Sequence, residues 1–450
     1  MKTKFRHGAC LFFPTLKRAA WMKQTFTLSF IILTFAIALL LPGCQPDIEP
    51  PSPSGGTLNF SRYLAFGGSV SAGLSNAEVR DALLLPTGGL YAEAQKHCFP
   101  SILASRIALV DSIQFMQATA QDNGSSYVML DGFRNTCSQF PPTPRLSKVE
   151  PSVSWPGMGP APEMSAIHNW SIPHLKIQDI HRRETQNPYF RRMAPDSMSY
   201  YDLAVAARPS FFTLWMGMED ILPYIYLGGK GPGPTDVGTF QRHLSQMLEA
   251  LLAEPDAKGV VANIPDLTQM PFCHAVKDYV HDLDCNPGEI WVETCSAEVV
   301  LASPEDYVLF TGFDQVLGQI GFGWGSDVSR PVPNKYVLDR YEAAYIRASI
   351  EAFNEIIRKT VEELNVGEKR LALVDAHALV EQVHEGMYVD GIQVDASYVQ
   401  GGFFSLDGLF PTGQGNALIA NAFIEAINET FDGVSIPPAD FTRYPGVRFP

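Results

Sequence analysis

Three sets of residues in this chain have the types and spacing to do chemistry. The first is Cys44, which follows Leu41, Pro42 and Gly43 at the end of a mostly apolar run over 26–41. A basic start at Lys23, a short apolar core and a small residue before the cysteine mark a bacterial lipoprotein signal. Cleavage before Cys44 then frees the residue that carries the lipid, although Pro42 is an unusual choice at that position. The second set is Cys273, His274, His281 and Cys285, all metal-ligand types. Their spacing matches no standard zinc pattern, so a stapled loop is expected, with no metal and no cofactor. The third set is polar residues that follow apolar runs: Ser69 after 62–66, and Glu219 with Asp220 after 210–215.

Those polar residues need elements to hold them. Short apolar runs at 62–66, 210–215 (SFFTLW), 259–264 (GVVANI) and 371–374 predict strands. Between them, Ile346, Ile350, Phe353, Ile357, Val361 and Leu364 recur at helical steps within 338–364. Leu418, Ala422, Phe423, Ile427 and Phe431 do the same within 415–431. Strands separated by helices predict an α/β fold: a three-layer α/β/α sandwich with a mainly parallel sheet and its working site at the strands' carboxyl ends. Residues 130–165 and 268–335, rich in Pro and Gly, predict long irregular insertions near that site. The expected organisation is a leader and signal over 1–43, a lipidated cysteine and Pro/Ser tether over 44–56, and a single domain over 57–450. Met22 alone begins a complete signal, which leaves the start open between Met1 and Met22.

The chain has 450 residues, 46% hydrophobic and 18% charged, against a usual charged share of about 25%, which excludes an intrinsically disordered chain. Its formal charge of −15 speaks against nucleic acid. Six of the 33 basic residues (Lys2, Lys4, Arg6, Lys17, Arg18, Lys23) and no acidic residue precede Cys44, leaving 27 against 48, or −21. Anionic headgroups are therefore poor electrostatic partners, and membrane attachment is expected through the lipid on Cys44, at the bacterial cell envelope. With Cys10 in the leader and Cys44 lipidated, Cys98, Cys137, Cys273, Cys285 and Cys295 remain. An odd number leaves at least one of them outside any pairing within the chain.

Six short runs then occur in a telling order: FGGSVSAG at 66–73, GGLY at 88–91, NWSIPH at 169–174, LWMGMED at 214–220, GVVANIPD at 259–266 and SLDGLFP at 405–411. With them, from about Tyr63 to Phe431, the chain resembles the SGNH/GDSL hydrolases, specifically their large bacterial lipoprotein branch. The resemblance implies a flavodoxin-like fold and a serine ester hydrolase ancestry, acting on ester bonds. It places Ser69 at the nucleophile position and Asp407 at the triad acid position. It also exposes departures. Gly68 replaces the aspartate of the GDS signature, Phe410 stands in place of the triad histidine, Glu219 replaces the oxyanion asparagine, and His174 replaces the block-two glycine. Gly68, Gly217 and Asp220 remain as cleft positions, with Asp220 expected to hold local backbone.

The departures bear directly on chemistry. Without a base, a neutral serine hydroxyl is a poor nucleophile. A carboxylate at Glu219 facing a developing oxyanion about 4 Å away costs roughly 4 kcal/mol at an effective dielectric near 20. His174 can still donate its backbone amide if its conformation does not demand glycine; taken alone, His174 and Glu219 read as a surface ion pair. Trp215, Met216 and Met218 read as core, and His377 and His384 as packing residues. Three functions follow: an envelope lipoprotein with lost or reduced activity that binds an acylated glycan or lipid; a non-standard hydrolase using Ser69 with His174 or Glu219; or a structural or assembly lipoprotein.

Overall fold

The four apolar runs pair into one parallel sheet. In the computed structural model these are β1 (Tyr63–Gly67), β2 (Phe211–Trp215), β3 (Lys258–Ala262) and β4 (Leu371–Val374), in the order β4-β3-β2-β1. Tyr63 pairs with Phe211 through to Gly67 with Trp215, and Leu371 with Gly259 through to Val374 with Ala262. The structure describes residues 52–450 except 79–87, 135–136, 152–165, 184–186, 194–197, 282–287 and 313–323. The leader, Cys44, most of the tether and Cys285 lie outside the described residues. Among the described residues no helix is long and apolar enough to cross a membrane.

β1 and β2 are buried along their whole length, as strands must be when both faces of a sheet are covered. Two helix pairs provide that cover. One is α1 (Phe99–Ile107) with α4 (Gly413–Thr430), whose Phe99 and Phe423 rings stack at 4.6 Å. The other is α2 (Val237–Leu251) with α3 (Arg340–Leu364), joined by Phe240 and Phe353 stacked at 4.0 Å. α3 starts on a capping box in which Asp339 accepts from Tyr341 and Glu342 while Glu342 returns the bond to the Asp339 amide. The expected third strand stops two residues early, because the Asn354 side chain takes both the amide and the carbonyl of Ile264.

An extended segment borders β1 on its free edge. Ala65 N–H donates to His168 O at 2.8 Å, Trp170 N–H to Ala65 O at 2.8 Å, and Ile172 N–H to Gly67 O at 3.0 Å. This strand-like track delivers His174 to the carboxyl end of β1.

The two insertions are more regular than expected. Within and just before 130–165, Tyr127–Arg134 pairs antiparallel with Thr143–Val149, with an irregularity between Leu130 and Gly132. Within 268–335 lie the helix Pro271–Asp278 and a short hairpin of Trp291–Glu293 with Val299–Leu301. Their strands are short and half-exposed, so no continuous apolar run announces them. The cysteines also need a correction. Cys137 is disulfide-bonded, with a partner outside the described residues, whereas Cys98, Cys273 and Cys295 are free, so Cys273 does not staple the loop.

Candidate active site

Ser69 begins a single helical turn, Ser69–Ala72, directly after β1, and Glu219 sits in the turn Met218–Asp220 directly after β2. Because β1 and β2 are adjacent and parallel, their ends bring the two residues together. Ser69 N–H donates to Glu219 Oε1 at 3.1 Å. The amide that an ester hydrolase of this design would offer to an oxyanion is thus already bonded to a carboxylate of the chain itself.

His174 completes the contact group through its backbone. Its N–H donates to Ser69 Oγ at 3.1 Å. Its φ is +57°, the left-handed region that favours glycine, so a histidine has taken the position while the backbone keeps a glycine-like conformation. The ring does something different. His174 Nδ1 lies 3.7 Å from Glu219 Oε2, beyond hydrogen-bond range, and the contact is an ion pair only when the ring carries a proton. Neither ring nitrogen has a hydrogen-bond partner, so no proton path runs from Ser69 to the imidazole. The pair is not at the surface: Glu219 is buried, 4% exposed, and His174 is half-buried.

Burial alone would push the Glu219 carboxyl up. The His174 imidazole together with the hydroxyl and amide of Ser69 outweighs it and holds this group below its usual range. Glu219 is therefore a carboxylate at neutral pH. Room for it comes from Gly68, where a Cβ would stand 3.0 Å from Glu219 Cγ. Any larger side chain at position 68 would require the Glu219 side chain to give by a few tenths of an ångström.

Asp220, next in sequence, has no partner in this group. Burial pushes its carboxyl up to about 7, against bonds from Thr235, Ile177 and Gln178. Thr235 Oγ1 donates to it at 2.6 Å and Ile177 N–H at 2.8 Å, which anchors the chain after His174. Gly217 has φ +108°, and a Cβ there would meet Ile264 Cδ1 at 2.5 Å, so its role is conformational. Trp215, Met216 and Met218 are buried in the core, with Trp215 Nε1–H donating to Asn263 O at 3.0 Å.

The C-terminal block is fastened to the segment after Ser69. Asn76 N–H donates to Ser405 Oγ at 2.9 Å, and Leu406 N–H to Asn76 Oδ1 at 3.0 Å. Asp407 is fully buried and accepts from the amides of Leu409 and Phe410 at 2.8 Å and of Ala77 at 2.9 Å. Burial nonetheless pushes its carboxyl up. Phe410 is fully buried in the hydrophobic core. His377 opens the helix Ala376–Glu385, where its amide bonds Asn263 Oδ1 and its Nδ1 contacts Ile264 O; His384 packs edge-on against His274.

One member of the site was not anticipated from the sequence. Tyr226, at the end of the helix Leu222–Tyr226, is 1% exposed and its hydroxyl has no hydrogen-bond partner. Burial, then the neighbouring Glu219, Asp407 and Cys273, drive its pKa well up, so it remains a neutral phenol. Nothing in the apolar sequence LPYIY signals this placement. Among the described residues no group of His, Cys, Asp and Glu is arranged to hold a metal ion.

Comparison with known proteins gives the site a context. The family described as GDSL-like lipase/acylhydrolase matches over residues 63–423. Similar solved structures include a protein described as a GDSL-like lipase from Parabacteroides merdae, at 14% identity, covering 82% of this chain and 97% of that one with a TM-score of 0.34. An acetylxylan esterase from Geobacillus stearothermophilus is 12% identical, with coverages of 86% and 99% and a TM-score of 0.34. An extracellular lipase from Streptomyces rimosus is 10% identical, with coverages of 82% and 99% and a TM-score of 0.30. No curated protein sequence matches the chain.

Proposed function

From the premise that this chain belongs to the GDSL-like lipase/acylhydrolase family, we propose that its Ser69 centre no longer hydrolyses esters and that the fold acts as a ligand-binding body. The ligand class is an acylated glycan or lipid, the ester-bearing chemistry that the family handles as substrate. The body is held at the bacterial cell envelope by a lipid on Cys44. The observation that carries this reading is the bond from Ser69 N–H to Glu219 Oε1, a carboxylate seated where an oxyanion would form. Phe410 supplies no base, and the His174 ring makes no hydrogen bond to Ser69. A missing general base costs about 10²–10⁴ in rate and a lost oxyanion donor about 10²–10³, so the usual mechanism loses roughly 10⁴-fold or more.

Incubation with short p-nitrophenyl esters and with a fluorophosphonate probe between pH 5 and 9 tests the proposal. The expected result is no turnover that Ser69→Ala abolishes and no label on Ser69. The double variant Glu219→Asn with Phe410→His is expected to gain measurable turnover. Hydrolysis by the unaltered chain that Ser69→Ala abolishes would overturn it and return Ser69 to use with His174 or Glu219.

A further inference from the structure

The segment that carries His174 has a second polar face. Immediately before it, Ser171 and Pro173 border a small cavity of about 20 Å³, whose polar lining is Gln95, Gln117, Asn169, Ser171, Tyr189 and Arg192. One water-sized occupant needs about 10–15 Å³, so the space is large enough to be filled and too small for an organic ligand of ordinary size.

The amide side chains around it are already spent. Gln95 donates to the carbonyls of Ala72 and Ala118 and accepts from Ala120 N–H. Gln117 donates to Gln95 O and accepts from Asn169 Nδ2–H, while Asn169 Oδ1 accepts from Ser171 N–H. Two groups remain unused. The Ser171 hydroxyl, in a residue 5% exposed, has no hydrogen-bond partner, and neither does the shielded Nε–H of Arg192.

Both unused groups can donate, and Arg192 can do nothing else. Its Nη2–H bonds Thr119 O at 2.7 Å, a neutral partner. Among the described residues no carboxylate pairs with it, and Tyr189 is the one group whose charge acts on it. Burial brings its pKa down to about 10, which still leaves it protonated at neutral pH. A partly buried guanidinium that meets no counter-charge among the described residues, in a chain rich in carboxylates, is the exception that calls for a partner.

We propose that this cavity binds a small monoanion, held between the Arg192 guanidinium and the Ser171 hydroxyl. A water would satisfy the two donors but not the charge; an anion satisfies both. The volume restricts the occupant to a halide or the head of a small carboxylate. Occupancy would brace the segment 169–174 from one side while His174 N–H contacts Ser69 from the other. The proposal does not depend on whether Ser69 is active.

The test is thermal unfolding at fixed ionic strength in chloride, in acetate and in the bulkier gluconate. Chloride or acetate is expected to raise the midpoint saturably while gluconate does not, and the better of the two separates a halide from a carboxylate site. Arg192→Met is expected to abolish the response, and Ser171→Ala to weaken the anion about tenfold, the worth of one hydrogen bond to a charged partner. Equal midpoints in all three salts, or an undiminished response in Arg192→Met, would overturn the proposal. If Arg192→Met does not fold, chloride NMR line broadening on the unaltered chain and on Ser171→Ala decides the same question: broadening reduced in the variant supports the site, and equal or absent broadening overturns it.

Discussion

Two polar clusters, one at the ends of β1 and β2 and one in 405–411, use their side chains differently. At the ends of β1 and β2, polar groups face one another: Ser69 bonds Glu219 and accepts from His174. In 405–411, the carboxylate of Asp407 is turned inward onto the backbone, where it closes its own turn and ties down Ala77. Asp407 therefore holds the fold whatever its chemistry, because removing it leaves several buried amides unpaired. Phe410, three residues on, is buried in the core and offers no base. The Ser69 cluster is satisfied within itself, through the bond to Glu219 and the room that Gly68 leaves for that side chain.

Asp407→Ala is the largest expected effect and the most direct way to break this contrast. Three buried N–H donors lose their acceptor, which at about 1–2 kcal/mol each predicts a loss of roughly 3–6 kcal/mol in urea unfolding. Ser69→Ala removes the acceptor of one amide bond and the hydroxyl that supports the Glu219 carboxylate, and should cost about 2 kcal/mol. Equal losses in the two variants would erase the distinction between a scaffold cluster and a chemical cluster.

How far each cluster could be read from sequence follows the same division. The sheet was legible because its strands are continuous apolar runs; Leu371–Val374 is found residue for residue. The hairpin of Tyr127–Arg134 was not, since its residues alternate between buried and exposed on a short, Gly-interrupted strand. At 68, 174, 219 and 410 the sequence offers residue types in an order that resembles the family. What they do was not legible, because the bond from Ser69 to Glu219 depends on adjacent strand ends in space. Tyr226 shows the limit: an orphaned phenol looks like any core tyrosine until its surroundings in space are known.

Glu219 and Asp220 sharpen the comparison at smaller scale, being sequence neighbours with opposite shifts. Glu219 is held below 4.5, so its stabilising contribution is present above that pH and is lost as pH falls through its folded value. Asp220 is raised from 3.8 to about 7, so its contribution is present below 3.8 and is lost as pH rises through 7. Relative to Glu219→Gln, the unaltered chain should therefore lose stability on acidification below pH 4.5. Relative to Asp220→Asn, it should lose stability between pH 4 and 8 as pH rises. Thermal unfolding across pH 3 to 8 reads both, and parallel curves for the two variants would mean that the neighbours share one environment.

The smallest expected effect tests whether the backbone at 174 is a relic or a new design. At φ +57° a residue with a Cβ pays roughly 1 kcal/mol that glycine does not. Both His174→Ala and His174→Gly delete the ring and its charge contact with Glu219, so the loss of the ring cancels between them. If the conformation is inherited from a glycine, His174→Gly should be more stable than His174→Ala by about 1 kcal/mol, with the amide still donating to Ser69 Oγ. The same pair of variants separates two reasons for the histidine's presence. A ring that offsets the strain by holding Glu219 ionised predicts that both variants raise the pH at which acid unfolding begins, by equal amounts, because the Glu219 carboxyl then loses a group that lowers its pKa. A ring that merely fills space predicts an unchanged acid limb beside the same gap of about 1 kcal/mol between glycine and alanine.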